Sequence, residues 1–235
     1  MEIAALNTIY IYKKLYLDNP VFNDKLVEYW FLPARNLYGS FRSPSLLYQT
    51  YGFKLGTTTI HSIFLPANEN EIKNTDADAI LLDIRFSSLK KKLSKFVDLV
   101  RKPVILSLNG AFRKTEKIID EAKIFEQNGV SAILTGYMIS NSILAKIKNS
   151  ISIPVISKSV ANANSMIKRH QSGADLIAIL GMKISQSLIQ EFKQTFPFVP
   201  IIAFAGNSEE IISNSLSSGV DAIIYNPRVH VNYFK

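Results

Sequence analysis

Four short runs decide how the chain reads: "PVISKS" (residues 154–159), "GADLIAIL" (173–180), "PIIAFAG" (200–206) and "GVDAIIYN" (219–226). Each is rich in Ile, Val and Leu, and amphipathic segments of helical length separate them. A strand buried on both faces loses its polar half-pattern, so this alternation predicts a parallel sheet covered by helices. The same grammar extends backwards. "KPVILSLNG" (102–110) matches the runs that follow Pro154 and Pro200, and "GVSAILTG" (129–136) matches those that follow Gly173 and Gly219. Two kinds of strand therefore alternate, one opened by Pro103, Pro154 and Pro200, the other by Gly129, Gly173 and Gly219. The unit strand–helix–strand–helix recurs every 44–51 residues. The glycines stand where a helix ends in a left-handed residue. The prolines stand at the first residue of a strand, where no ladder donor is lost.

Two further strands fit upstream, "TIHSIFLP" (59–66) and "DAILLDIRF" (78–86). Eight parallel strands make a closed (β/α)8 TIM barrel, an α/β fold for which 235 residues is an ordinary length. Six helices are expected at 87–101, 114–128, 140–149, 162–171, 185–195 and 208–218. The first crossover, 67–77, has room for two or three helical turns, and after strand eight only nine residues remain, so the eighth helix is short or absent. Residues 1–55 carry no barrel periodicity and hold 12 of the 25 aromatic residues, Trp30 among them. They read as an aromatic-rich N-terminal extension packed on the barrel formed by 56–235, covering the wall that strands one and eight would leave bare.

Composition narrows the function classes. There is no cysteine, which excludes disulfides and cysteine-based nucleophiles or metal sites. No apolar run reaches membrane-spanning length and the start of the chain has no basic n-region, so a cytoplasmic location without membrane contact is expected. The formal net charge is +8, but the lysines lie mostly on polar helix faces. No nucleic-acid partner is expected; the charge suits a small anionic metabolite. The expectation includes no cofactor and no metal, with a homo-oligomer as an open alternative for covering the apolar wall.

Chemistry in such a barrel gathers at the carboxyl ends of the strands. That rule singles out Asp83 and Lys158 as catalytic candidates and Arg85, His61, Asn109, Tyr137, Asn207 and Arg228 as substrate-binding ones. Ser107, Thr135, Ser159, Lys183, Tyr225 and Asn226 occupy comparable positions. Asp83 and Arg85 share parity, so a carboxylate and a cation lie on one face of strand two; the alternative is an interior ion pair. A lysine in an apolar setting at the end of strand five can form a Schiff base with a carbonyl, or simply reach solvent. His61 could exchange protons or be a hydrogen-bonded core histidine. His170 and His230 read as structural. Phosphate binding has little support: after strand seven Asn207 and Glu210 read as a self-sufficient cap with Glu209 adding negative charge, and after strand eight Pro227 removes a donor.

The order and spacing of the strands resemble the 2-keto-3-deoxy-6-phosphogluconate aldolases. The likeness is carried by "IPVISKSVANANSMIKRHQSGADLIAIL" and "FPFVPIIAFAGNSEEIISNSLSSGVDAII", with "AILLDIR" resembling that family's second strand. The resemblance implies a carbon–carbon lyase, with Arg85 on the substrate-binding arginine. It departs from the family at the Schiff-base lysine, which falls on Ala178, and at the acid–base glutamate, which falls on Leu81. Indole-3-glycerol-phosphate synthases are similar in the N-terminal extension and a "KPVL"-like third strand. Metal-dependent 2-oxo-acid aldolases of the citrate-lyase type are similar over "SIFLPANENEIKNTDADAILLDIR". These resemblances imply an aldolase-like enzyme on a small anionic carbonyl substrate. The alternatives are an indole-glycerol-phosphate-synthase-type enzyme and a non-catalytic barrel serving as a binding or assembly protein.

Overall fold

The pattern of fully apolar strands is realised as a closed barrel. A computed structural model describes residues 52–55, 58–66, 71–72, 75–83, 93–108 and 114–226, with the backbone alone for Asp83, Lys95 and Leu99. The eight parallel strands are β3 (Ser62–Phe64), β4 (Ala79–Asp83), β5 (Val104–Leu108), β6 (Ala132–Thr135), β7 (Val155–Lys158), β8 (Leu176–Leu180), β9 (Ile201–Gly206) and β10 (Ala222–Tyr225), and β10 pairs with β3 to close the ring. Between them run α1 (Leu93–Val100), α2 (Thr115–Gln127), α3 (Asn141–Lys148), α4 (Ala163–Gln171), α5 (Gln186–Thr195) and α6 (Glu209–Ser217). Ser140, Asn162, Ser185 and Ser208 cap the last four helices, each accepting from the backbone N–H three residues on. Gly129, Gly173 and Gly219 take the left-handed conformations expected of them after α2, α4 and α6.

The sequence read 59–66 as one strand, and the structure divides it. Thr58–Ile60 is strand β2 of an antiparallel hairpin with β1 (Phe53–Leu55), and the barrel proper starts only at Ser62. The cause is the Asp78 carboxylate. One of its oxygens accepts from the backbone N–H of His61 (3.0 Å), that of Ser62 (2.9 Å) and the Ser62 hydroxyl (3.0 Å), fixing a bend between the two strands. Gly52 is required next to it: its φ is +55°, and a Cβ there would lie 2.4 Å from the Ile60 carbonyl oxygen and 2.6 Å from His61 Nδ1. The hairpin straddles the expected boundary at 55/56. Residues 1–51, including Trp30, lie outside the described residues, as do 227–235.

Alternation sorts the side chains into two cores. Outward residues of the strands pack against the helices around Ile118, Phe125, Met166 and Phe192. Inward residues fill the barrel: Ile63, Ile105, Ile156 and Ile202, one from every second strand, form one layer, interleaved with Ala79, Ala132, Leu176 and Ala222 and with Leu81, Leu134, Ala178 and Ile224. Phe53, Leu55 and Ile60 of the hairpin join this interior core, closing its amino-terminal end.

Candidate active site at the carboxyl end of the barrel

The interior layers continue upward by the same parity. Two residues beyond the four isoleucines come Leu65, Ser107, Lys158 and Phe204; two beyond Leu81, Leu134, Ala178 and Ile224 come Asp83, Gly136, Leu180 and Asn226. Lys158 therefore belongs to the mouth. Its ammonium lies 4.4 Å from the centre of the Phe204 ring, a cation–π contact between β7 and β9. The lysine reaches across β8 because its register partner there is Ala178, a single methyl group. Asp83 ends β4 in register with Ser107 of β5, and alternation puts position 83 on the interior face. Arg85, Asn109 and Arg228 lie outside the described residues.

Room at the mouth comes from Gly136. Among the described residues a Cβ built on it would meet nothing within 4 Å, and its φ lies outside the left-handed range, so the backbone is ordinary and the space is open on the side of those residues. Tyr137 follows it at the rim, where burial raises its phenol pKa above the usual value. Arg169 of α4 holds this loop from beneath, donating to the carbonyls of Ile139 and Tyr137. Its partial burial lowers the guanidinium pKa. Just after β10, the side-chain oxygen of Asn226 is shielded from solvent and has no hydrogen-bond partner among the described residues, while its backbone N–H donates to the Gly206 carbonyl (3.0 Å).

Other candidates are placed elsewhere. His61 precedes β3 at the amino-terminal end of the barrel, opposite the mouth, because the strand begins after it. Burial depresses its pKa more strongly than the carboxylates of Asp78 and Asp221 raise it. Tyr225 faces outward, edge-on to Phe64 with ring centres 5.6 Å apart. Thr135 and Ser157 share the helix-facing parity and are fully buried. Ser159 is buried, its hydroxyl donating to Val160. Asn207 is exposed at the carboxyl end of β9 and does not cap the next helix as its sequence suggested. Ser208 does, accepting from Ile211 N–H (3.3 Å), which shifts the cap by one residue and leaves Asn207 out of it. Lys183 is exposed at the end of a short turn, Gly181–Lys183, after β8. Among the described residues no three His, Asp or Glu side chains gather as a metal site would require.

Phe204, Gly136, Leu180 and Arg169 were missed by the sequence reading. The first three carry a usable signal, since each falls an even number of residues after an interior apolar position. Arg169 carries none, because its partners are carbonyls 30 and 32 residues away.

No family model matches the chain, and no curated protein matches it. Solved structures do. A prophage protein of the dihydrodipicolinic acid synthase family from E. coli K12, in complex with pyruvate, aligns with a TM-score of 0.56 at 15% identity, covering 70% of this chain and 69% of its own. A phosphonopyruvate hydrolase in complex with oxalate and Mg++ aligns at 0.54 and 16%, covering 73% and 77%. A 2,3-dimethylmalate lyase of the PEP mutase/isocitrate lyase superfamily aligns at 0.55 and 10%, covering 71% and 75%. At such identities the shared property is the TIM-barrel fold. Among the described residues no helix is long and apolar enough to cross a membrane.

Proposed function

We propose that this barrel is a lyase acting on a small anionic carbonyl substrate of the 2-oxo-acid class, with Lys158 as the amine that meets the carbonyl. The observation that carries the reading is the placement of Lys158 at the carboxyl end of β7, on the interior face beside the open space at Gly136. The described structural relatives add support, since their names include pyruvate, phosphonopyruvate and dimethylmalate. Arg85 would hold the substrate carboxylate and Asp83 would move protons. In the forward direction the Lys158 amine adds to the carbonyl carbon and water leaves, giving an iminium. Asp83 takes the proton of a hydroxyl on the carbon two removed from the iminium carbon, and the bond joining that carbon to its neighbour breaks. The hydroxyl-bearing carbon departs as an aldehyde or ketone, and the electron pair is held as an enamine. The proton returns to the enamine carbon, and water then releases the 2-oxo acid and restores the lysine.

Borohydride reduction in the presence of pyruvate tests this. The expected product is a stable adduct on Lys158, absent in Lys158→Met. No adduct on Lys158 or Lys183 removes the covalent mechanism. The second reading, a binding barrel without chemistry, is favoured by Ala178 at the position of the resembled family's lysine and by the stacking of the Lys158 ammonium on Phe204. It expects pyruvate to raise the melting temperature without any reducible adduct.

A further inference from the structure

We propose that the substrate carries an apolar substituent lying along the β6–β9 side of the mouth, so that branched-chain or aromatic 2-oxo acids are preferred over pyruvate and over phosphorylated 2-oxo acids. This rests on the reading of Lys158 as the group that meets the carbonyl. Among the described residues the large apolar side chains left in solvent are few, and all but Ile124 follow three consecutive strands at the mouth. Tyr137 (41%) and Met138 (66%) follow β6, Val160 (64%) follows β7, and Leu180 (44%) and Met182 (71%) end and follow β8. A clustered apolar rim beside a site is a binding surface more often than a packing accident.

The rim continues into the interior. Leu180 is the register partner of Phe204, the ring beneath the Lys158 ammonium, so an apolar wall runs from the charged group outward. The exposure is built in. Arg169 ties the Tyr137 loop to α4 through two backbone carbonyls. The turn that carries Met182 is seated on α6 so closely that a Cβ on Gly181 would lie 2.5 Å from the Ile211 side chain. Methionines at two of the rim positions suit substituents of varied shape. A phosphate has the wrong surroundings here, because Ser208 already caps Ile211 N–H and Glu209 and Glu210 occupy the first turn of α6.

Calorimetry on the full chain with pyruvate, 4-methyl-2-oxopentanoate and 3-phosphohydroxypyruvate tests the preference, and borohydride trapping runs in parallel. The branched acid should bind about tenfold or more tightly than pyruvate, as extra methylenes in an apolar site do. Leu180→Gln and Met182→Gln should each bring that ratio toward one, and Ile124→Gln, on α2, should leave it unchanged. A ratio near one, a ratio that survives both rim variants, or tighter binding of the phosphorylated acid overturns the inference. Trapping on Lys158 with a ratio near one sinks the apolar preference and keeps the lyase reading. A tenfold ratio lost in the rim variants, without trapping by any compound, keeps the preference and sinks the covalent mechanism. No binding of any of the three overturns both.

Discussion

His170 sits near the end of α4, in a run with Lys168 and Arg169 that reads as a polar face, yet it is buried against Phe196 with ring centres 4.5 Å apart. Its Nδ1–H donates to the Ala174 carbonyl (2.7 Å), which closes the turn after the helix. Burial pushes its pKa down from 6.5 to about 4, outweighing the effect of that hydrogen bond. A histidine whose folded pKa lies below its unfolded one contributes stability that is complete above pH 6.5 and disappears as pH falls through about 4. The loss should approach roughly 3 kcal/mol, at 1.4 kcal/mol per unit. Urea unfolding between pH 7 and pH 4 should show this slope, and His170→Gln should flatten it; an unchanged slope would place the acid sensitivity elsewhere. Gly136 offers the opposite kind of experiment. At Gly136 a Cβ meets none of the described atoms within 4 Å and needs no left-handed backbone, so Gly136→Val should move stability by about 0.5 kcal/mol or less. The added side chain fills the space beside Lys158, and adduct formation with pyruvate should fall at least about tenfold. Full trapping in a folded variant would show that the carbonyl does not approach from the β6 side.

The strands share a device that the apolar pattern conceals. Before β8, one oxygen of Asp175 accepts from Lys148 (2.7 Å) and from Val155 N–H at the start of β7 (2.7 Å). Before β10, Asp221 accepts from Lys193 (3.0 Å) and from Ile201 N–H (2.8 Å). Ser131 accepts from Val104 N–H before β6 (3.3 Å), and Asp78 does the same for Ser62 before β4. Every second strand thus carries an acceptor that pins the first residues of the strand before it, three of them just after a glycine turn. The sequence displayed the glycines and prolines of this repeat, but an acid two residues after a glycine reads as a solvated strand end, and its lysine comes 27 or 28 residues earlier. These pairs lie at the amino-terminal end of the barrel, where they serve stability. For the second pair, burial pushes the Asp221 carboxyl up and the Lys193 ammonium down, both toward neutrality, so desolvation outweighs the attraction. Asp175→Ala leaves a buried ammonium and an unpaired Val155 N–H, and should cost about 3–5 kcal/mol in urea unfolding. Lys148→Met with Asp175→Asn keeps the acceptor and removes both charges, and should recover more than half of that loss. A double variant no more stable than the single one would show that the ion pair itself stabilises the end of the barrel.

At the scale of the whole molecule, seven of the eight barrel strands were legible because burial on both faces leaves an unmistakable apolar run. The first was placed with its start too early, because in "TTTIHSIFLP" no glycine or proline stands beside His61 to mark the bend. What breaks it is Asp78, 16 and 17 residues away, a contact that no local pattern contains. At the mouth, the rule that chemistry gathers at strand ends singled out Lys158 and Asp83, while the apolar rim was invisible because a lone Met or Leu in a loop carries no periodicity.

The same scale holds the last prediction, which concerns the wall formed by β3 and β10. Its outward residues Phe64, Ile223 and Tyr225 are apolar and buried; among the described residues α6 packs against β10, and the stretch around Ile72 and Ala77 joins the same core. Among the described residues no α-helix lies between β3 and β4, so the β3 side of this face calls for further apolar cover. The aromatic segment before Gly52 is the part of the chain with enough apolar side chains to supply it. Each aromatic buried there would contribute on the order of 1.5–3 kcal/mol. A chain beginning at Gly52 keeps the β1–β2 hairpin that closes the bottom of the barrel, so its interior core stays intact while the wall is bared. It should bind a hydrophobic dye, associate or aggregate, and melt well below the full chain. A monomeric, dye-silent variant with an unchanged melting temperature would show that residues 1–51 are not part of the wall, and would leave them free to act as an arm for a partner.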